Sequence, residues 1–111
     1  MVLGIIKMAR ISQKMVEARF KEICRNQKIP LFDDRNYDNS KYRTGALTMG
    51  GAYGMIRVEF VYPKSSSTYD LSGYLNAREM ESWLRYTDLK AAYNVRQKQA
   101  RESLKWEESR R

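Results

Sequence analysis

Between Ile11 and Gln27 the apolar residues Met15, Val16, Phe20, Ile23 and Cys24 share one face at helical spacing, which predicts an amphipathic helix with Ser12 placed to cap its start. Pro30 disfavours helical geometry at Ile29 and ends that helix near Gln27. Asp33-Asp34-Arg35-Asn36-Tyr37-Asp38-Asn39-Ser40 is a run of turn formers and reads as a loop. The period then changes to two. Thr44 to Met49 and Met55 to Tyr62 flank Gly50-Gly51-Ala52-Tyr53-Gly54, and Ile56, Val58, Phe60 and Tyr62 alternate against Met55, Arg57 and Glu59. This predicts a β-hairpin whose apolar face packs against the first helix. Pro63 and Ser65-Ser66-Ser67 end the second strand, and a short third strand is expected around Thr68 to Ser72.

Asn76 followed three residues later by Glu79 is a capping-box pattern that starts a long helix, expected to run to about Trp106 because no Gly or Pro interrupts it. Met80, Trp83, Leu84, Thr87, Ala91 and Val95 form one stripe on it, assigned to the core. Tyr86, Leu89, Tyr93, Ala100 and Leu104 form a second stripe well away from the first. One core cannot bury both faces of one helix. Either the tyrosines snorkel at a solvated surface, or a second copy or another protein covers the stripe. The expectation is a homodimer formed through this second stripe. The fold class is α+β: an N-terminal helix, an antiparallel β-hairpin or three-stranded sheet, and a long C-terminal helix. Residues 1–95 are expected to form a single domain, with 96–111 a charged extension of the last helix.

A chain of 111 residues supports one modest core. A deep cleft between lobes is not expected, whereas a binding surface fits easily. The single cysteine, Cys24, cannot form an internal disulfide, and the apolar start Met1-Val2-Leu3-Gly4-Ile5-Ile6-Lys7 is short for a signal peptide, so a cytoplasmic location is expected. No stretch reaches the roughly 20 apolar residues of a membrane span.

The net charge of +8 is carried by the two ends. Residues 1–28 hold seven Lys/Arg and two Asp/Glu, residues 29–95 hold eight of each, and residues 96–111 hold six and three. This asymmetry points to an acidic partner: nucleic acid, a nucleotide, an acidic protein or anionic lipid. Lys7, Arg10, Lys14, Lys21, Arg25 and Lys28 recur at steps of three, four and seven, a line on the side of the first helix opposite Val16, Phe20 and Ile23. Any amphipathic helix has a solvated charged side, but such a side usually mixes signs. Here only Glu17 and Glu22 interrupt, so Lys14, Lys21, Arg25 and Lys28 are the candidate phosphate contacts, holding a backbone without reading sequence.

Eight tyrosines offer either core filling or stacking platforms for bases, with Tyr53, Tyr62, Tyr69 and Tyr74 the candidates for stacking. Tyr53 beside Arg57 makes a candidate small-ligand corner. Gly45, Gly50, Gly51 and Gly54 lack the Gly-Lys-Ser/Thr of a phosphate loop and read as tight-turn residues of a hairpin. There is no histidine, so with one cysteine the usual zinc, haem and iron-sulfur ligand sets cannot be assembled and no cofactor is expected. Asp33, Asp34 and Asp38 lack the spacing of a calcium loop and read as turn residues. No nucleophile and base pair is evident, and Cys24 is expected to be buried, so a non-enzymatic protein is expected.

The ordered segments Ile11-Ser12-Gln13-Lys14-Met15-Val16-Glu17-Ala18-Arg19, Gly50-Gly51-Ala52-Tyr53-Gly54-Met55 and Ser72-Gly73-Tyr74-Leu75-Asn76-Ala77-Arg78-Glu79-Met80 resemble small accessory proteins of tailed bacteriophages. In those a lysine-rich first helix precedes a Gly/Tyr hairpin and a closing helix that begins after Gly-Tyr. The resemblance covers roughly residues 11–89 and implies a phage accessory role in the host cytoplasm, without supplying site residues. Met1 to Lys7 and the tail from Lys90 to Arg111 are extra to that pattern, and Met8 is an alternative start. The expected function is that of a basic accessory protein binding nucleic acid or nucleotide, so as to counter or redirect host processes. The alternative is an inhibitor or adaptor that binds a host enzyme through the C-terminal helix.

Overall fold

A computed structural model describes residues 11–32, 44–63 and 67–109, with side chains at 106–108 left aside. The expected ridge positions Lys7 and Arg10, the alternative start at Met8, the loop with Asp33, Asp34 and Asp38, and Ser65-Ser66 lie outside the described residues.

The fold is α+β. Helix α1 spans Gln13–Asn26, strands β1 (Ala46–Ala52), β2 (Met55–Val61) and β3 (Thr68–Asp70) follow, and helices α2 (Ala77–Tyr86) and α3 (Leu89–Ser109) close the chain. The Ser12 side chain caps α1 by accepting from the Met15 N–H. At the other end the Lys28 N–H donates to Arg25 O at 3.2 Å and the Ile29 N–H to Cys24 O at 2.8 Å, with Lys28 at φ 57. This is a Schellman motif with a lysine at the left-handed position that usually holds glycine, and its apolar clasp joins buried Ile29 to buried Cys24. The chain therefore leaves the helix before Pro30 has to stop it.

The sheet is antiparallel in the order β1-β2-β3, with Ala52 opposite Met55 and Phe60 opposite Leu47 and Tyr69. The hairpin is tighter than the glycine run suggests. Gly50 and Gly51 belong to β1, and the turn is Tyr53-Gly54 alone, both at positive φ as a type I′ turn requires. The β1 edge is partly covered, and the stretch of β2 beyond short β3 is paired as well. Leu47 on β1 exchanges backbone bonds with Pro30 and Phe32, and Ile56 on β2 pairs with Leu75 past the end of β3.

Val16, Phe20 and Cys24 from α1, Leu47, Ile56, Val58 and Phe60 from the sheet, and Met80 and Leu84 from α2 form one core. As expected, Ile56, Val58 and Phe60 share the core with the first helix, while Tyr62 sits at its margin, edge-on to Phe60 at 5.2 Å. Asn76 and Glu79 form the expected capping box.

The last helix is two helices. Thr87 is extended (φ −100, ψ 133), and the Asp88 side chain accepts from the Ala91 N–H at 3.0 Å, the geometry of a fresh N-cap. This break corrects the expected single helix and its core stripe. Met80 and Leu84 are buried and Trp83 and Thr87 half-buried, but Ala91 is exposed and Val95 is 52% exposed. After the bend, α3 turns Leu89, Tyr93, Gln97 and Ala100 inward instead. The Tyr93 hydroxyl donates to Gly45 O at 2.9 Å, and Gln97 Oε1 accepts from the Gly45 N–H at 2.7 Å. Gly45 has no room for a side chain, since a Cβ there would lie 2.1 Å from Phe60 Cζ. Tyr93 also packs on Phe60 at 5.7 Å, and the Arg96 guanidinium covers Tyr69 at 4.0 Å.

These contacts correct the expected dimer stripe. Leu89, Tyr93 and Ala100 belong to the core of one chain, Leu104 is half-buried, and Tyr86 alone of the set is fully turned outward at 80% exposure. The expected boundary at residue 95 falls between buried Tyr93 and buried Gln97.

Candidate functional site

On α1 the inward residues Val16, Phe20 and Cys24 fix which side faces water. Lys14, Lys21 and Arg25 lie on the opposite side and are exposed, and Lys28 follows them in the exposed Schellman turn. At 1.5 Å per residue the line from Lys14 to Arg25 is roughly 16 Å long. Lys21 Nζ is 3.2 Å from Glu17, an exposed pair that solvent and salt screen heavily. Lys14, Arg25 and Lys28 make no ion pair among the described residues. The first turn of α1 holds no acid to offset Lys14. The structure thus brings Lys14, Lys21 and Arg25 to one side of α1, with Lys28 exposed in the turn that follows.

Part of this placement has an ordinary explanation. Arg25 and Lys28 sit where a helix C-terminus favours cations, a contribution of about 0.3–1 kcal/mol. Lys14 has none, because the first turn of a helix disfavours positive charge. Lys28 also carries the cost of a left-handed backbone, of order 1 kcal/mol for a residue with a Cβ. Lys28→Gly should therefore raise folding stability by about 0.5–1 kcal/mol in chemical denaturation while weakening any polyanion contact made by the ridge. A variant that becomes both less stable and equally good at binding would contradict the assignment of Lys28.

The corner expected from Tyr53 and Arg57 does not form. Arg57 pairs with Glu59 on its own strand, lies 3.7 Å from Asp70 on β3, and covers the Tyr74 ring at 4.7 Å. Its charge is spent on two carboxylates. Tyr53 stands at the hairpin tip, 102% exposed, with φ 54. What the sequence did not reveal is Gln13, whose Nε2 donates to Gly54 O at 2.7 Å and ties the hairpin tip to the first turn of α1. A glutamine beside a cap residue carries no signal of that role.

Of the four tyrosines named as stacking platforms, Tyr62 packs on Phe60, Tyr69 lies under Arg96 and Tyr74 under Arg57. Tyr53 alone of the four has no such ring contact among the described residues. A groove of about 200 Å³ between α1 and α2, lined by Ile11, Met15, Val16, Arg19, Glu81 and Arg85, is smaller than the roughly 300–1,000 Å³ of ligand pockets and lies off the ridge.

Cys24 is buried, which pushes its thiol up to about 12 and leaves it protonated and unreactive at neutral pH. Among the described residues no group of His, Cys, Asp and Glu could hold a metal, and no helix is long and apolar enough to cross a membrane. No family model matches the chain, and no curated protein or solved structure matches it either.

Proposed function

We propose that this chain is a non-enzymatic binding protein that holds the phosphate backbone of a nucleic acid along the outer side of α1. The observation that carries the reading is the ridge of Lys14, Lys21, Arg25 and Lys28, four exposed cations of which only Lys21 has an ion-pair partner among the described residues. A row of charges fits a linear polyanion better than a single nucleotide, which needs an enclosing pocket. The resemblance to tailed-bacteriophage accessory proteins adds the proposal that the complex serves to counter or redirect host processes. The alternative of a host enzyme held through the C-terminal helix loses support, because Leu89, Tyr93 and Ala100 are occupied within the chain.

The test is a titration of the protein into a short fluorescent oligonucleotide at low salt. A rise in anisotropy, reversed by excess unlabelled oligonucleotide and barely affected by free nucleotide, is expected. Absence of any rise refutes the reading.

A further inference from the structure

We propose that Tyr53 is a base-stacking residue and that the ligand is single-stranded nucleic acid, with its phosphates on the α1 ridge and an unpaired base on the Tyr53 ring. This rests on the reading of α1 as the phosphate-binding element.

Three features of the hairpin tip carry it. First, the type I′ turn needs positive φ at both central residues, positions where Asn, Asp and Gly are favoured. This turn places a tyrosine at φ 54, a conformation that a bulky side chain adopts only at a cost in backbone energy, and the ring gains no packing in return because it is fully exposed. The residue therefore earns nothing for the fold. Second, the ring is free to be approached. Tyr53 is preceded by Gly50, Gly51 and Ala52 and followed by Gly54, and neither Gly50 nor Gly54 has any neighbour within 4 Å of where a side chain would start. A planar group can reach the ring without meeting a competing side chain there. Third, the Gln13 to Gly54 hydrogen bond of 2.7 Å holds this tip against the first turn of α1. Tyr53 consequently stands at the N-terminal end of α1, the end that carries Lys14.

An exposed aromatic ring at the end of a cationic track is the arrangement that binds single strands, in which every base offers a stacking face. In a duplex the faces are already stacked on neighbouring pairs, so the ring would contribute nothing. The preference for a single strand thus comes from Tyr53, while the overall affinity and its salt dependence come from the ridge.

Tyr53→Gly and Tyr53→Phe separate these roles when each is titrated into fluorescent oligodeoxythymidine and into a duplex of equal length. Glycine accepts the turn geometry, so the Tyr53→Gly chain should unfold at no lower temperature than the parent. It is expected to bind the single strand about tenfold or more weakly, with duplex affinity and salt slope unchanged, while Tyr53→Phe binds like the parent. Equal single-strand affinity of Tyr53→Gly and parent overturns the proposal, as does an equal loss for duplex. If Lys21→Glu/Arg25→Glu loses binding and Tyr53→Gly does not, the ridge stands and the stacking role falls. A parent chain that binds neither oligonucleotide overturns both.

Discussion

Reversing Lys21 and Arg25 together to glutamate is expected to weaken oligonucleotide binding by about 100-fold or more. A hydrogen bond to a charged group contributes about 1.5–3 kcal/mol, and two at the lower end come to ~3 kcal/mol, or roughly two decades of affinity. The two residues lie four apart on one exposed side of α1, so both losses fall on the same stretch of backbone. Repulsion between the new carboxylates and phosphate adds to the loss. The fold should survive. Lys21→Glu replaces an exposed attractive pair with Glu17 by a repulsive one, a change of a few tenths of a kcal/mol, and Arg25→Glu removes a favourable charge from the last helical turn. Circular dichroism should show the helices retained. The neutral version, Lys21→Gln/Arg25→Gln, should fall between, because contacts are lost without repulsion. Binding by the reversed chain equal to that of the parent would mean that the ridge is only a solvated face.

Tyr93→Ala is expected to cost about 3–5 kcal/mol of folding free energy, as for other large aromatic truncations in a core. Tyr93 is 5% exposed, packs on Phe60 and donates its hydroxyl to Gly45 O, so truncation opens a cavity and leaves that carbonyl without its side-chain donor. A small domain has only about 5–15 kcal/mol in hand. The loss should appear in chemical denaturation at a midpoint that does not move with protein concentration, because the contact lies within one chain. Tyr93→Phe should cost only about 1 kcal/mol, the value of the hydrogen bond. A parent chain whose midpoint rises with protein concentration, and a Tyr93→Ala chain that loses that dependence, would return Tyr93 to an interface between copies.

The two predictions mark where the sequence was legible and where it was not. The first helix, the hairpin, the short third strand and the Asn76 capping box follow from local patterns: a 3.6 period, a 2.0 period, and a cap residue followed by Glu79. The break at Thr87-Asp88 is also local, but it is written only as a cap residue inside a run of good helix formers. Without Gly or Pro the run reads as continuous. That one missed bend explains the dimer expectation. Two apolar stripes out of phase on one straight helix demand two partners, whereas on two helices joined by a bend the α2 part of the first stripe (Met80, Leu84) and the α3 part of the second (Leu89, Tyr93, Ala100) meet the same core. Gln97 lies on the same stripe as Tyr93, Ala100 and Leu104, and its spacing from them was visible. Its polarity concealed that it belongs inside, where Oε1 is held by the Gly45 N–H and Nε2 is buried without a partner.

The site divides in the same way. The ridge was legible because its register is set by a single helix whose buried face is unambiguous. Glu59, two residues from Arg57 on the same strand face, already hinted that Arg57 was spoken for. Asp70 and the Tyr74 ring reach Arg57 through the register of β3 on β2 and the turn after it, and that pairing is not written in a local pattern. The isolation of Tyr53 is likewise a tertiary fact, since it emerges only when Tyr62, Tyr69 and Tyr74 are seen to have partners.

The central claim is that four cations on and just after α1 hold phosphates, and the measurement that tests it most directly is the salt dependence of oligonucleotide binding by the intact chain. Each phosphate neutralised on a single strand lowers the logarithm of the binding constant by about 0.7 per decade of salt, so four contacts predict a slope of roughly −3. A slope near zero would contradict the claim.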